Sequence, residues 1–280
     1  MYNDILIVVV VYNRSIENVK IISKVLNSHF GIELYIYDNS LVPDVSFSTE
    51  VADRQCRYIS DPSNSGVSKA YNLAFEYAIS KDKHYVLILD QDSQFELAFL
   101  ERYFDAVQQY GVSFIYSPLV CDAAKTKIYS PAKLNNFVGH SEVYEKKLAP
   151  VIVDISNRSV INSGLMIPVS IFSKIGGYNN KIKLDFSDVY FIEIYKIFNK
   201  SVVLVDVELL HSLSGDEGPK FLTEMKRFPY YCIGALELTK SLNKSTLWTV
   251  LRRTVRLVIK YRNFSPILLF FKYYVKGENI

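Results

Sequence analysis

The chain has 280 residues, of which 49% are hydrophobic and 22% are charged, and its formal net charge is +3. This composition is typical of a globular protein with a sizeable core and argues against a disordered or fibrous chain. Cys56, Cys121 and Cys232 are far apart and form no C-x-x-C pair. That spacing argues against a disulfide framework or a zinc site and fits a reducing cytoplasm.

The first half of the chain alternates apolar runs with helical patterns. Ile5–Val11 is a continuous apolar run, too short for a signal peptide or a membrane span, and it predicts a buried strand. Further strands are predicted over 34–37, 57–60, 85–89 and 114–116, and helices over 16–26, 68–80 and 99–110. Strands that alternate with helices predict an α/β fold with a mostly parallel, doubly wound sheet.

The second half is less regular. Residues 121–160 predict an irregular insertion that contains strands, 159–167 a further strand, and 189–197 a helix. No G-x-G-x-x-G follows the first strand, and no G-x-x-x-x-G-K-[ST] occurs anywhere. The sheet is therefore not expected to bind NAD or to act as a P-loop NTPase.

Polar residues follow three of the predicted strands. Tyr12 and Asn13 follow the first strand, Asp38 the second, and Asp90-Gln91-Asp92 the strand of 85–89. Ligands of doubly wound sheets bind beyond the carboxyl ends of the strands, so these residues are predicted to form one site.

The segment "LILDQDSQ" places two acids two residues apart at the end of an apolar run. In an extended chain Asp90 and Asp92 face the same side while Gln91 points away. Two converging carboxylates favour a cation between them, and Mg²⁺ suits one or two carboxylates together with substrate phosphates. The alternative is a turn that ends in two solvated acids.

Several motifs, in order, resemble those of glycosyltransferase family 2: "VVVVYNR", "YDNS", "NSGVSKAYNLA", "LILDQDS", "NSGLMI", "GGYNN" and "LDFSDVYF". The form "LDQDS" is most similar to the bacterial rhamnosyltransferase branch, and the resemblance extends over about residues 5–215. It implies a Rossmann-like GT-A fold, a nucleotide-diphosphate sugar donor, Mg²⁺ or Mn²⁺, and transfer with inversion.

The resemblance also implies roles for individual residues. Donor binding falls to Val11, Tyr12, Asn13, Asp38, Asn64, Gly66, Lys69, Asn72, Asp90, Gln91 and Asp92. Among these, Asp38 is expected to accept the N3–H of uracil or thymine, Gly66 to let the backbone approach the nucleotide, and Lys69 to meet phosphate. A turn followed by a helix start is the alternative for Asn64 and Lys69. The metal is expected at Asp92 and Asp90, with His211 facing the metal or the diphosphate.

The catalytic base is expected in the segment Asp185-Phe186-Ser187-Asp188. By resemblance Asp188 matches the family's base and Asp185 its upstream neighbour, although Ser187 stands where many members have Glu. Asp185 is therefore the second candidate for the base. The structural alternative is that Asp188 caps the helix over 189–197.

Residues 240–280 contain nine basic residues and one acidic residue, a net charge of +8, so the rest of the chain carries −5. Over 248–262 a helical pattern places Trp248, Leu251, Val255 and Val258 on one side and Arg252, Arg256 and Lys260 on another. This helix is predicted either to lie on an anionic membrane or to pack on the core or on a second subunit of a homodimer. Nucleic acid is not expected as a partner, because the rest of the chain is acidic.

These features predict a GT-A catalytic domain over 1–218, with a donor half over about 1–120 and an acceptor half over about 121–218, and a basic helical region over 219–280. The predicted enzyme is cytoplasmic and peripheral on the inner face of the cell membrane. The resemblance alone implies that it would transfer L-rhamnose from dTDP-rhamnose to a polyprenyl-diphosphate-linked saccharide of O-antigen or capsule. UDP-galactose, UDP-glucose and UDP-N-acetylglucosamine are alternative donors, and a non-catalytic scaffold of a polysaccharide-assembly complex is the alternative from another class. A nucleotidyltransferase is less well supported, because "YNRSIEN" is not a Gly-rich basic loop.

Overall fold

The computed structural model describes residues 2–44, 56–135, 137–145, 150–210 and 221–280. Within these residues the strands form one sheet of eleven strands. The strands are β1 Ile5–Val11, β2 Glu33–Asp38, β3 Cys56–Ser60, β4 Tyr85–Asp90, β5 Tyr116–Cys121, β6 Lys127–Asn135, β7 Val138–Val143, β8 Val151–Asp154, β9 Arg158–Ser159, β10 Met166–Pro168 and β11 Ser201–Leu210.

Helices cover both faces of the sheet and form the C-terminal region. The α-helices are α1 Lys20–Leu26, α2 Val67–Ser80, α3 Phe99–Tyr110, α4 Val169–Ile175, α5 Ser187–Phe198, α6 Phe221–Leu242, α7 Leu247–Tyr261 and α8 Ser265–Leu269. Short 3₁₀ helices span Tyr2–Asp4, Ile16–Asn18 and Gly111–Ser113, and Phe270–Val275 continues α8 as a π-helix.

The main path of the sheet runs β3-β2-β1-β4-β10-β5-β11-β8. The pairs β3–β2, β2–β1 and β1–β4 are parallel, whereas β10 is antiparallel to both β4 and β5. In the parallel part, Val11 pairs with Asp38 and Val10 with Asp90. The α/β fold is therefore confirmed. The polar residues at the carboxyl ends of β1, β2 and β4 lie side by side at the same end of these parallel strands.

The first strand is buried on both faces, which explains why its sequence is continuously apolar. Ile5, Ile7 and Val9 pack into one core cluster with residues of α1 and α3, whereas Leu6 and Val8 pack into a second with α2, α4 and α5. The two clusters follow from the period of two along a strand. Helices therefore pack on both faces of the sheet, next to the strand ends that carry the polar residues.

Four sequence predictions need correction. The strand predicted over 114–116 is β5, which begins at Tyr116 and runs to Cys121. The strand predicted over 159–167 is interrupted by a turn, in which Leu165 N donates to Asn162 O at 3.0 Å and Gly164 has a φ of +74°. Residues 121–160 do contain strands, as predicted, but β6, β7, β8 and β9 belong to the same sheet and do not form an irregular insertion. The helix predicted over 16–26 is divided between a 3₁₀ turn and α1.

The C-terminal helices pack against the segment that leads into α5. Ile182 and Phe186 are buried in a third cluster with α6, α7 and the π-helix, whose members include Phe228, Tyr231 and Leu257. A side chain at Gly234 of α6 would collide with the carbonyl oxygen of Asp185. The packing predicted as one alternative is thus present, and it is centred on the segment that carries Asp185 and Asp188. No helix in the described ranges is long and apolar enough to cross a membrane.

Candidate active site

The loops that follow β1, β2 and β4 are joined by hydrogen bonds. Tyr12 N donates to Gln91 Oε1 at 3.0 Å, and Arg14 Nη1 donates to Gln91 O at 3.2 Å. Asn13 N donates to Ser40 Oγ at 2.8 Å. Gln91 was expected to point away from the site, but its side chain instead connects the loops after β1 and β4.

Asp90 ends β4, and the chain turns immediately after it. Ser93 N donates to Asp90 O at 3.0 Å, and Asp90 N donates to Ser93 Oγ at 2.9 Å. The predicted extended arrangement of Asp90 and Asp92 is therefore wrong, because the serine closes a local turn in place of further strand pairing. Asp92 is half-buried, and its carboxylate has no hydrogen-bond or ion-pair partner among the described residues.

Asp38 is completely buried at the end of β2. Its carboxylate accepts hydrogen bonds from Ser40 N at 2.9 Å, Asp44 N at 3.2 Å and Tyr58 Oη at 2.9 Å. These donors show that Asp38 holds the loop that follows β2. Recognition of a nucleobase by this residue stays a prediction.

Residues of the "NSGVSKAYN" segment connect α2 to the segment before α5. A side chain at Gly66 (φ +98°) would collide with the backbone of Lys183. Val67 N donates to Lys183 O at 2.8 Å, and Ser68 Oγ donates to Ile182 O at 2.5 Å. The observed role of Gly66 is thus close packing against a neighbouring segment, and a backbone approach to the nucleotide stays a prediction.

Three other predicted donor residues lie nearby in the same segment. Asn72 Nδ2 donates to Tyr178 O at 2.9 Å and to Asn180 Oδ1 at 2.7 Å, while its Oδ1 accepts from Tyr178 N at 2.8 Å. Asn72 therefore positions the loop after α4. Asn64 is a left-handed turn residue with a φ of +47°, as in the turn alternative, and Lys69 is exposed on α2.

Asp188 lies in the first turn of α5. The residue that precedes the helix is Phe186, which makes no side-chain cap, so the prediction that Asp188 caps the helix is wrong. Val189 N donates to Asp188 Oδ1 at 2.8 Å. Burial, followed by repulsion from Asp185 and Asp90, raises the pKa of Asp188 to about 6. A carboxylate with a pKa close to neutral pH is suited to general base catalysis.

Asp185, the second candidate for the base, forms a salt bridge with α6. Arg227 Nη2 donates to Asp185 Oδ1 at 2.8 Å, and Arg227 Nε donates to Oδ2 at 3.1 Å. Both carboxylate oxygens are engaged in this bidentate pair, which is the strongest geometry for a salt bridge of this kind. The geometry therefore favours Asp188 over Asp185 as the proton acceptor.

A buried tyrosine shows that the two predicted acidic motifs converge. Burial first, and then the charges of Asp90 and Asp188, raise the pKa of Tyr71 well above its usual range. The ring of Tyr71 packs against that of Tyr178 at a centroid distance of 5.0 Å, and Tyr178 Oη donates to Asn162 Oδ1 at 2.9 Å. The carboxylates at the end of β4 and at the start of α5 thus lie beside the same buried polar group.

Residues 6–176, more than half of the chain, match the family model Glycosyl transferase family 2. The chain belongs to this family. Two solved structures with the same fold are S. aureus TarS 1-349 in complex with UDP and the mannosyltransferase PcManGT from Pyrobaculum calidifontis in complex with GDP-Man and Mn²⁺. No curated protein sequence matches the chain.

Both structural likenesses are distant. TarS 1-349 is 15% identical with a TM-score of 0.53, and the match covers 83% of this chain and 65% of that one. PcManGT is 11% identical with a TM-score of 0.54, and the match covers 99% of this chain and 76% of that one. The present chain thus spans about 65% of the length of the TarS fragment. At these identities the likeness shows the fold, which is of the predicted GT-A type.

The described acids fit a divalent cation in part. Asp90 and Asp92 carry hard oxygen atoms of the kind that Mg²⁺ and Mn²⁺ prefer, and the Asp92 carboxylate has no partner in the described part of the chain. No group of three or more His, Cys, Asp or Glu side chains in that part is arranged to hold a metal. Mg²⁺ is commonly held by one or two carboxylates together with substrate phosphates and water. His211 lies outside the described residues.

Sequence reasoning did not single out four residues that the structure brings to the site. Arg14 contacts the loop of Asp90 and Asp92, and Tyr71, Asn162 and Tyr178 form the buried polar group beside the carboxylates. All four occur within or beside motifs of the family, but tyrosine at a helical or turn position usually indicates core packing. Only the fold shows that these side chains meet.

Proposed function

We propose that this chain is an inverting, metal-dependent glycosyltransferase, which moves a sugar from a nucleotide-diphosphate donor to a hydroxyl group of a saccharide acceptor. Membership of family 2 supports the class of reaction. The observation that carries the proposal is the placement of Asp188, whose pKa is raised to about 6, near the Asp90 carboxylate at the carboxyl end of β4.

In this mechanism Asp188 accepts the proton of the acceptor hydroxyl as its oxygen attacks the anomeric carbon. The bond from that carbon to the diphosphate breaks on the opposite face, so the configuration inverts in a single displacement. When bound, Mg²⁺ or Mn²⁺ offsets the negative charge that develops on the leaving diphosphate. No second carboxylate is required as a nucleophile, which agrees with the engagement of Asp185 by Arg227.

The carboxyl ends of β1, β2 and β4, called the donor edge below, would hold the nucleotide. Tyr12 is 49% exposed beside the ends of β1 and β4, and it offers a ring on which a base can stack. Arg14 is exposed next to Gln91 and carries a positive charge near the expected diphosphate position. Residues 1–120 would thus form the donor half and residues 121–218 the acceptor half, with 219–280 supporting the base.

The favoured donor is dTDP-L-rhamnose, supported by the "LDQDS" segment. UDP-galactose, UDP-glucose and UDP-N-acetylglucosamine are the alternatives, and structural neighbours were solved with UDP-GlcNAc and with GDP-Man. The acceptor would be a polyprenyl-diphosphate-linked saccharide of O-antigen or capsule, and the enzyme would act at the cytoplasmic face of the cell membrane.

A donor screen by thermal shift, with Mg²⁺, Mn²⁺ or EDTA, tests the proposal. A ligand that binds only the folded state raises the melting temperature, so the true donor should do so in a metal-dependent manner. The same donor is then incubated with the protein and a lipid-linked saccharide, and the anomeric configuration of the product is determined. A protein that neither binds, hydrolyses nor transfers any of these donors would instead be a scaffold.

A further inference from the structure

One side of α7 exposes large apolar side chains. Trp248, Leu251, Val255 and Ile259 recur at intervals of three or four residues and so share one side of the helix. Trp248 is 61% exposed, Val255 49% and Ile259 72%. Together with the neighbouring basic residues they line a shallow groove of about 630 Å³, called the α7 face below.

The opposite side of α7 is fixed to the protein. Thr249, Val250, Thr254 and Leu257 are buried. Arg253 lies over the ring of Tyr231 at 4.1 Å and approaches Glu224 at 3.4 Å. The helix is therefore already docked by its inner side, and the exposed apolar side chains do not face the protein's own core.

The α7 face is also basic. Helix α7 contains Arg252, Arg253, Arg256 and Lys260 and no acidic residue. Arg252 and Arg256 are exposed and form no ion pair with any described residue, whereas Lys260 reaches Glu224 only at 4.0 Å. The basic side chains thus border the apolar ones and lack compensating acids on the same helix.

The segment after α7 has the same character. Phe264 is 73% exposed, Leu268 71% and Phe271 52%, and Lys272 and Lys276 are exposed as well. Isolated exposed apolar residues are common on monomers, but a contiguous apolar surface on one helix face marks an interaction site.

We propose that the α7 face docks onto an anionic lipid bilayer. A helix with tryptophan and aliphatic residues on one side and arginine and lysine beside them lies in the plane of the interface, with its apolar side in the headgroup–acyl boundary. Negative headgroups pair with Arg252, Arg256 and Lys260. A second copy of the chain is a poorer occupant, because a symmetric contact would bring two uncompensated sets of these bases together.

Docking would also orient the candidate active site. The inner side of α7 carries Arg253, whose guanidinium lies 3.9 Å from Asp185, three residues before Asp188. The bilayer would therefore contact a helix that touches the base-bearing segment directly. This inference goes beyond the proposed chemistry, because vesicle binding requires neither donor nor turnover.

Co-sedimentation of the full chain with vesicles tests the proposal. Vesicles of phosphatidylcholine alone are compared with vesicles of equal parts phosphatidylcholine and phosphatidylglycerol, at low and high salt and without donor. The wild type should bind the anionic vesicles, and salt should weaken the binding. Arg252→Gln/Arg256→Gln should reduce the partition coefficient about tenfold or more, since each base near an anionic surface contributes measurably.

Trp248→Ser/Ile259→Ser should reduce binding to anionic vesicles while leaving the salt dependence in place. The matched control is Lys20→Gln/Arg102→Gln, which removes two exposed positive charges from α1 and α3 and should bind like wild type. All of these side chains are exposed, and circular dichroism melting verifies that each variant is folded.

Equal binding of wild type and both α7 variants, or loss of binding in the control alone, would overturn the proposal. The proposal would also be overturned if the wild type did not bind vesicles and light scattering showed it to be a dimer that Trp248→Ser/Ile259→Ser converts to a monomer. In that case a second copy covers the face. Transfer to a detergent-solubilised acceptor is measured separately, so that loss of membrane binding is distinguished from loss of catalysis.

Discussion

Arg227 donates two hydrogen bonds to Asp185, with Nη2 2.8 Å from Oδ1 and Nε 3.1 Å from Oδ2. The pair joins α6 to the segment that leads into α5, three residues before Asp188. A C-terminal helix therefore contacts the segment that carries the candidate base. In the proposed mechanism, Arg227 and Asp185 would act as positioning residues for the base Asp188.

Arg227→Gln is expected to lower kcat more than it raises the KM of the donor, because the segment that carries Asp188 loses its anchor. The folded state should lose about 1–2 kcal/mol, since the mostly buried Asp185 carboxylate loses both of its close hydrogen bonds and keeps only Arg253 at 3.9 Å. Steady-state kinetics and urea unfolding measure both effects. Asp185→Asn in the Arg227→Gln background should restore part of the stability, because the weakly compensated Asp185 charge is removed and Arg253 keeps Glu224 at 3.4 Å. Wild-type kcat and stability in Arg227→Gln would show that the pair positions nothing.

Asp188→Asn is expected to stabilise the protein above pH 7. The pKa of Asp188 is raised from 3.8 to about 6, so the folded state binds this proton more tightly than the unfolded state. That contribution to stability is complete below about pH 4 and is lost as the pH rises through 6. Removing the charge should therefore gain about 1–3 kcal/mol at pH 8 and little at pH 4.

Unfolding curves of wild type and Asp188→Asn at both pH values measure this difference, with EDTA present because a bound cation would favour the charged carboxylate. Glu96→Gln is the control, since it removes an exposed acid that pairs with Lys24 at 2.6 Å. A stability difference between wild type and Asp188→Asn that does not depend on pH would contradict the raised pKa.

Asp92→Asn is expected to abolish the metal-dependent part of donor binding. The Asp92 carboxylate stands at the donor edge with no partner among the described residues, and an amide is a much poorer ligand for Mg²⁺. Thermal shift with nucleoside diphosphate, with and without Mg²⁺, should show a metal-dependent increase in wild type and in Glu96→Gln but not in Asp92→Asn. An undiminished increase in Asp92→Asn would remove this residue from the metal site.

The parallel half of the sheet could be predicted because burial on both faces leaves a strong signal. Ile5–Val11 contains no polar residue, and the carboxyl end of this strand marks where the candidate site begins. The strands of 121–160 lack such a signal. Most of β7 is exposed, so its sequence carries no apolar periodicity. The run 159–167 reads as one strand, but Gly164 takes a left-handed conformation that turns the chain.

The site was only partly predictable for related reasons. Asp90, Asp92 and Asp188 fall in recognisable motifs, and the fold brings Asp90 and Asp188 to the same buried tyrosine. The turn at Ser93 was predicted only as the alternative to an extended arrangement, because the serine hydroxyl competes locally with strand extension. The salt bridge between Asp185 and Arg227 joins residues 42 positions apart, and no local pattern encodes such a pair.

The most direct test of the proposed mechanism is the rate of sugar transfer by Asp188→Asn with the donor found in the screen. The substitution preserves the shape of the side chain but removes its capacity to accept a proton. We expect donor affinity close to that of wild type and a transfer rate lower by about 10²–10⁴, whereas Asp185→Asn should be milder. Near-normal transfer by Asp188→Asn would show that the proton goes elsewhere and would contradict the mechanism proposed here.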